Sequence, residues 1–125
     1  MMQGQIRTDD WQKYLNDFSR RNAGRTARLE VLSENVGVQG SDMERLPLQG
    51  ITLDQRSSVT SSLDIMLGGG AAADMRHLTH TIPHVRRIVA KFGPDAREDA
   101  LEIESEDGAR TLLIFETLPE LPENL

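Results

Sequence analysis

Three histidines lie close together: His77, His80 and His84. Imidazole is a common metal ligand and the side chain whose charge changes nearest neutral pH. Spacings of three and four residues would line one face of a helix. On a strand, His77 and His80 point to opposite faces, and Pro83 interrupts any helix that would gather all three. A zinc site needs three or four converging ligands, and Asp74 is the only carboxylate nearby. The cluster therefore reads as surface or hydrogen-bonded histidines. A small hydrolase or a metal-binding protein is the reading it would support if the rings converged.

Other groups offer partial chemistry. Glu102 and Glu104 stand at i and i+2 on one strand face, and paired carboxylates can do acid–base work. With Arg110 across a turn, cross-strand ion pairing on a solvated face is the simpler expectation. Ser57, Ser58, Ser61 and Ser62 supply hydroxyls, but no nucleophile elbow surrounds any of them. Gly68-Gly69-Gly70 lacks the Lys-Ser/Thr ending of a phosphate-binding loop and the spaced glycines of a dinucleotide fingerprint. It reads as a flexible hairpin loop. Two basic groups remain, Arg20, Arg21, Arg25 and Arg28, then Arg86, Arg87 and Lys91. Neither is interleaved with aromatics and no nucleic-acid motif accompanies them. These residues argue against an enzyme and call for no catalytic, metal or cofactor-binding residue. Binding of nucleic acid through Arg86, Arg87 and Lys91 is the rival reading, and it is disfavoured.

The elements that must position these groups begin with a helix. Trp11, Tyr14, Leu15 and Phe18 fall at i, i+3, i+4 and i+7, an apolar stripe suited to a core. Thr8 or Asp9 can cap it, Arg20 and Arg21 suit its carbonyl end, and Asn22 or Gly24 can stop it. The expected helix spans residues 9–22. Period two then takes over. Ala27, Leu29 and Val31 share one strand face, and a polar loop with Gly37, Gly40 and Ser41 follows. In Leu46-Pro47-Leu48-Gln49-Gly50-Ile51-Thr52-Leu53 the apolar phase shifts by one at Gly50, as a β-bulge would require. Val59 to Leu67, 76–82, 101–104 and 111–115 supply further strands. Asp107-Gly108 turns the last hairpin. Residues 84–92 fit either a helix or a short strand. The tail, 117–125, has two prolines and is expected to be extended.

Bulk properties bound the class. The chain has 125 residues, one domain's worth, and no cysteine, which removes disulfides and thiolate chemistry. No apolar run approaches the roughly 18 residues a membrane helix needs, and Met1 to Asp10 has no apolar signal core. A cytoplasmic protein without membrane contact is expected. Net charge is −6, concentrated in residues 95–125, where ten acids face two bases. Such a segment would repel a nucleic-acid backbone that came near it.

With those residues in view, the chain resembles a bacterial family of small proteins known only as a domain of unknown function. The likeness rests on Trp11, Tyr14, Leu15 and Phe18-Ser19, on 46–51, on Thr79-His80-Thr81-Ile82, and on 100–105 with 107–115. It covers nearly the whole chain and implies a plain strand at 84–92. It brings no activity and no catalytic residue.

The expected fold is α+β, a single domain over 1–125. An N-terminal helix packs on a bent antiparallel sheet of five or six strands over 25–116, closed like an SH3-like or Sm-like small barrel. The expected role is a non-catalytic interaction or assembly module with an unknown protein partner or a second copy as a homodimer. Its expected surface holds Leu112, Ile114, Arg86 and Arg87. Leu112 and Ile114 alternate with a core-facing set on the last strand and need a cover, either a second subunit or the helix stripe itself.

Overall fold

The computed structural model of the chain describes residues 2–33, 37–41, 45–55, 61–69 and 77–116. Asp74, Val59, Ser57, Ser58, Gly70 and the tail 117–125, all singled out above, lie outside them. In chain order the elements are β1 (Met2–Gln5), a 3-10 turn (Thr8–Asp10), α1 (Trp11–Asn22), β2 (Thr26–Ser33), β3 (Gly37–Ser41), β4 (Leu46–Asp54), β5 (Ser62–Gly68), β6 (His77–Ile82), β7 (Val85–Phe92), β8 (Glu98–Ser105) and β9 (Arg110–Phe115).

All ladders are antiparallel, and eight strands follow the order β1-β7-β8-β9-β2-β4-β5-β6, with β3 added on β2. β2 is the branch point. One of its edges pairs with β9 over residues 27–32, while its other edge meets β4 at Thr26 and Ala27 and β3 from Glu30 onward. The architecture is α+β, as expected, but the sheet has more than five or six strands and is not a barrel. β1 and β6, the two ends of the order, share no ladder.

The extra strands escape a pattern search for a physical reason. Met2-Gln3-Gly4-Gln5 and Gly37-Val38-Gln39-Gly40-Ser41 carry no apolar alternation and join through the backbone. Closure fails because α1, and not a second layer of strands, fills the inner face. Trp11, Leu15 and Phe18 are buried in one cluster with Leu48, Ile65, Ile88, Ile103 and Leu113, drawn from both halves of the order. The sheet therefore curls around the helix without meeting its own edge.

The helix begins without a side-chain cap. Neither Thr8 nor Asp9 caps it, because residues 8–10 wind as a 3-10 turn and the backbone itself takes up the first N–H groups: Asp10 N–H donates to Arg7 and Trp11 N–H to Thr8. It ends at Ala23, and Gly24, at φ 84°, turns the chain so that its N–H donates to the Leu48 carbonyl at 2.9 Å. The phase shift in β4 is a bulge. Leu48 pairs with Leu67 and Gly50 with Met66, leaving Gln49 as the extra residue. Leu46, Leu48 and Ile51 are all buried as a result. Gly50 is not what permits it, since its φ is not positive and an added Cβ would meet only Met66 Cε at 3.8 Å. The bulge is secured by Ser19, whose Oγ accepts the Ile51 N–H at 2.9 Å. Residues 84–92 hold a strand, β7, in agreement with the resemblance.

Candidate functional site

β9 is central in the sheet, and its residues alternate between two environments. Thr111, Leu113 and Phe115 are buried inward. Phe18 of α1 stacks on Phe115 at 5.7 Å between ring centroids. Leu112 and Ile114 point the other way and are half-buried. The helix therefore covers Leu113 and Phe115, and leaves Leu112 and Ile114 uncovered. Of the two covers expected for that pair, the helix stripe is ruled out.

Register extends this outer face across five strands. Opposite Leu112 stand Glu102 on β8 and Glu30 on β2; opposite Ile114 stand Ala100 and Arg28. Glu102 in turn faces Val89 on β7, and Val89 faces Gln5 on β1. Arg87, Glu104 and Arg110 form a second row across β7, β8 and β9. A bulge between Val85 and Arg87 gives β7 an extra residue. Arg86 is that residue, and its guanidinium reaches Glu104 on the same face. The structure thus brings Leu112, Ile114, Arg86 and Arg87 together, keeps Lys91 of the same basic group beside them, and adds Arg110, Val89 and Glu102. Val89 was legible in principle, because it alternates with Arg87 and Lys91 along β7.

Glu102 sits at the centre and is not the solvated carboxylate expected, although it does face the last hairpin strand beside Arg110. Only 6% of it is exposed, because four long side chains lie over the sheet around it. Arg87, Lys91 and Arg110 approach its carboxylate at 3.7, 3.7 and 3.8 Å. Glu104 is bonded by Arg86 and approached by Arg87 at 3.4 Å. Four cations thus share two carboxylates.

A second polar cluster ties the helix to β8. Glu98 is buried and accepts from Arg21 and from Tyr14 Oη, the latter at 3.1 Å. Burial pushes the Glu98 carboxyl up, but the Arg21 hydrogen bond and charge outweigh it and hold the carboxyl below its ordinary range. Burial, then the Glu98 charge, raises the Tyr14 phenol. Arg25 donates to the Glu98 carbonyl at 2.7 Å and to Asn22 Oδ1 at 2.9 Å, and lies 4.2 Å over the Phe115 ring. No local sequence signal marks Glu98, whose partners lie 77 and 84 positions away.

The first basic group is dispersed by these contacts. Arg20 pairs with Asp17, Arg21 with Glu98, and Arg28 with Glu30, so no shared phosphate patch forms. The histidines do not converge either. His77 is exposed and lies 3.4 Å from Gln49 Nε2. His80 is half-buried in β6, and burial lowers its pKa. His84 follows Pro83 at φ 52°. Among the described residues no three His, Asp or Glu are placed to hold a metal ion, and no helix is long and apolar enough to cross a membrane.

No curated protein and no solved structure matches the chain. A family model does match, over residues 2–124, with the description of a family of unknown function. That match spans the helix and every strand of the sheet, and by it the chain belongs to the DUF5335 family, a family of unknown function.

Proposed function

We propose that this protein is a non-catalytic interaction module that docks a protein partner on the outer face of its sheet. One observation carries the reading: the helix occupies the inner face, so the outer face keeps Leu112 and Ile114 half-exposed at its centre, over the buried Val89 and Ala100. Apolar side chains ringed by polar ones are the usual anatomy of a docking patch. The ion pairs around them fix the patch and raise its specificity more than its affinity.

The test places a photo-crosslinking residue at Ile114 and, as a control, at exposed Gln12 on the helix, in cells that make the protein. A protein adduct at 114, absent at 12 and lost on adding Leu112→Ser, supports the reading. Adducts identical at both positions reject it. Light scattering separates the choice of partner. A mass of two chains that reverts to one on Leu112→Ser makes the partner a second copy, the commonest symmetric arrangement.

A second reading, nucleic acid, draws on the excess of cations at Arg86, Arg87 and Lys91. Those cations already face Glu102 and Glu104, and no aromatic side chain stands among the outward residues of β7, β8 and β9 to stack a base.

A further inference from the structure

The outer face carries a charge opposite to that of the molecule. Arg86, Arg87, Lys91 and Arg110 gather over Glu102 and Glu104, which leaves two positive charges in excess. Arg28 and Glu30, at the β2 side, neutralise each other. The chain as a whole is −6. A net positive patch on a net negative protein is a local feature that the overall charge does not explain.

The cations are also under-used. Arg87, Lys91 and Arg110 stand 3.4–3.8 Å from their carboxylates, beyond the 2.7–2.9 Å of a charge-assisted hydrogen bond. Coulomb attraction holds them over the sheet, and their N–H donors are free to take a further acceptor. Arg87 and Arg110 are close to half exposed, so that acceptor can reach them from outside. Beside them lie Leu112 and Ile114, half-buried, which a purely ionic ligand would leave in water.

From this juxtaposition we infer that the partner docked on the outer face is an acidic amphipathic protein segment. Its apolar side chains cover Leu112 and Ile114, and its flanking carboxylates take the free donors of Arg87, Arg110 and Lys91. Each guanidinium offers a planar fork that matches a carboxylate. A second copy presenting this same face would set like charges together. A phosphate backbone would satisfy the cations but leave the apolar centre uncovered. The inference rests on the docking function proposed above and specifies the chemistry of its partner.

The probe is a fluorescein-labelled amphipathic peptide of Leu and Glu, about 18 residues long and spaced to be helical. Three controls accompany it: the same peptide with Lys for Glu, the same with Ser for Leu, and a single-stranded RNA of similar length. Polarisation is read at about 50 and 300 mM salt. The expected result is micromolar binding of the Leu/Glu peptide alone, weakened about fivefold or more at the higher salt. Arg87→Gln with Arg110→Gln should weaken it at least about tenfold. Because that double variant also unburdens Glu102, Leu112→Ser, which keeps every charge, should independently weaken binding at unchanged thermal stability.

Equal binding of the Lys peptide, no binding of the Leu/Glu peptide, or tighter binding of the RNA that Arg87→Gln removes would each overturn the inference. Should the peptide fail while the crosslink at Ile114 persists, the docking face stands and only the partner's acidity falls. Should both fail, the docking function falls with it.

Discussion

Glu98 concentrates the electrostatics of the helix–sheet junction in one side chain. Its carboxyl is held below the ordinary range in the folded protein, against about 4.3 for an unfolded glutamate. A depressed folded pKa contributes stability that is fully present above the unfolded value and is lost as pH falls through the folded one. Thermal melts should therefore show an acid limb below about pH 4.3 that Glu98→Gln flattens. The same variant should cost about 1–3 kcal/mol at neutral pH, through the charged hydrogen bonds from Arg21 and Tyr14. His80 behaves separately. Burial lowers its pKa, so the unfolded chain takes the proton first and stability falls as pH drops below about 6.5. His80→Gln should remove that earlier loss and leave the later one. Ala96 offers a different residue-scale test. It stands at φ 64° in the β7–β8 turn, where its N–H donates to the Gly93 carbonyl at 3.0 Å. A left-handed L-residue costs about 1–2 kcal/mol, and glycine adds about 0.5–1 kcal/mol of unfolded-state entropy. Ala96→Gly should raise the urea midpoint by the small difference.

At the scale of elements, the bulge in β4 and the helix seated on that strand act as one unit. Ser19 reaches from the helix to the Ile51 N–H, and Phe18, one residue earlier, stacks on Phe115. Deleting Gln49, the extra residue, would bring Leu46 and Leu48 into plain alternation with Ile51 and Leu53 and remove the kink that Ser19 secures. A cooperative transition at a lower urea midpoint is the expected outcome, since the inward residues keep their face and only the bulge and its tie to the helix are lost. Phe18→Ala, which empties a fully buried position, should cost about 3–5 kcal/mol in urea unfolding and keep the m-value. The apolar phase shift announced this bulge from the sequence alone, because side-chain alternation is a local property. Glycine at position 50 was a misleading signpost: the extra residue is Gln49, and what stabilises the kink is a serine 32 positions before Ile51.

Viewed whole, the described residues form a sheet that packs its one helix on one face and leaves Leu112 and Ile114 half-exposed on the other. Adjacent residues on β9 should respond in opposite ways. Leu113→Asp buries a carboxylate in the core, a position with no exposure, and should prevent folding, since an unpaired buried charge costs several kcal/mol. Leu112→Asp places the charge on the half-exposed outer face, opposite Glu102 and Glu30 and beside Arg110, and should lower stability through like-charge repulsion while leaving the far-UV spectrum native. If the two variants unfold alike, the outer face is a core surface and the docking role proposed for it is wrong.

The sequence by itself determined the apolar stripe of the helix, the antiparallel strand pattern, the hairpin at Asp107-Gly108 and the alternation that sets Leu112 and Ile114 apart from Leu113 and Phe115. Each is written in spacings of two to four residues, within reach of local steric and hydrophobic rules. Only the tertiary structure decided the rest. It added β1 and β3, whose pairing is made by backbone groups that every sequence carries. It left the sheet open, because the volume of Trp11, Leu15 and Phe18 fills the space a closed barrel would need. It chose which face of β9 the helix takes, and it gathered Arg86, Arg87, Lys91 and Arg110 over Glu102 and Glu104. The ladder register between β7, β8 and β9 places those side chains together, and register is fixed by how whole strands bury their inward residues, not by any one of the residues it juxtaposes.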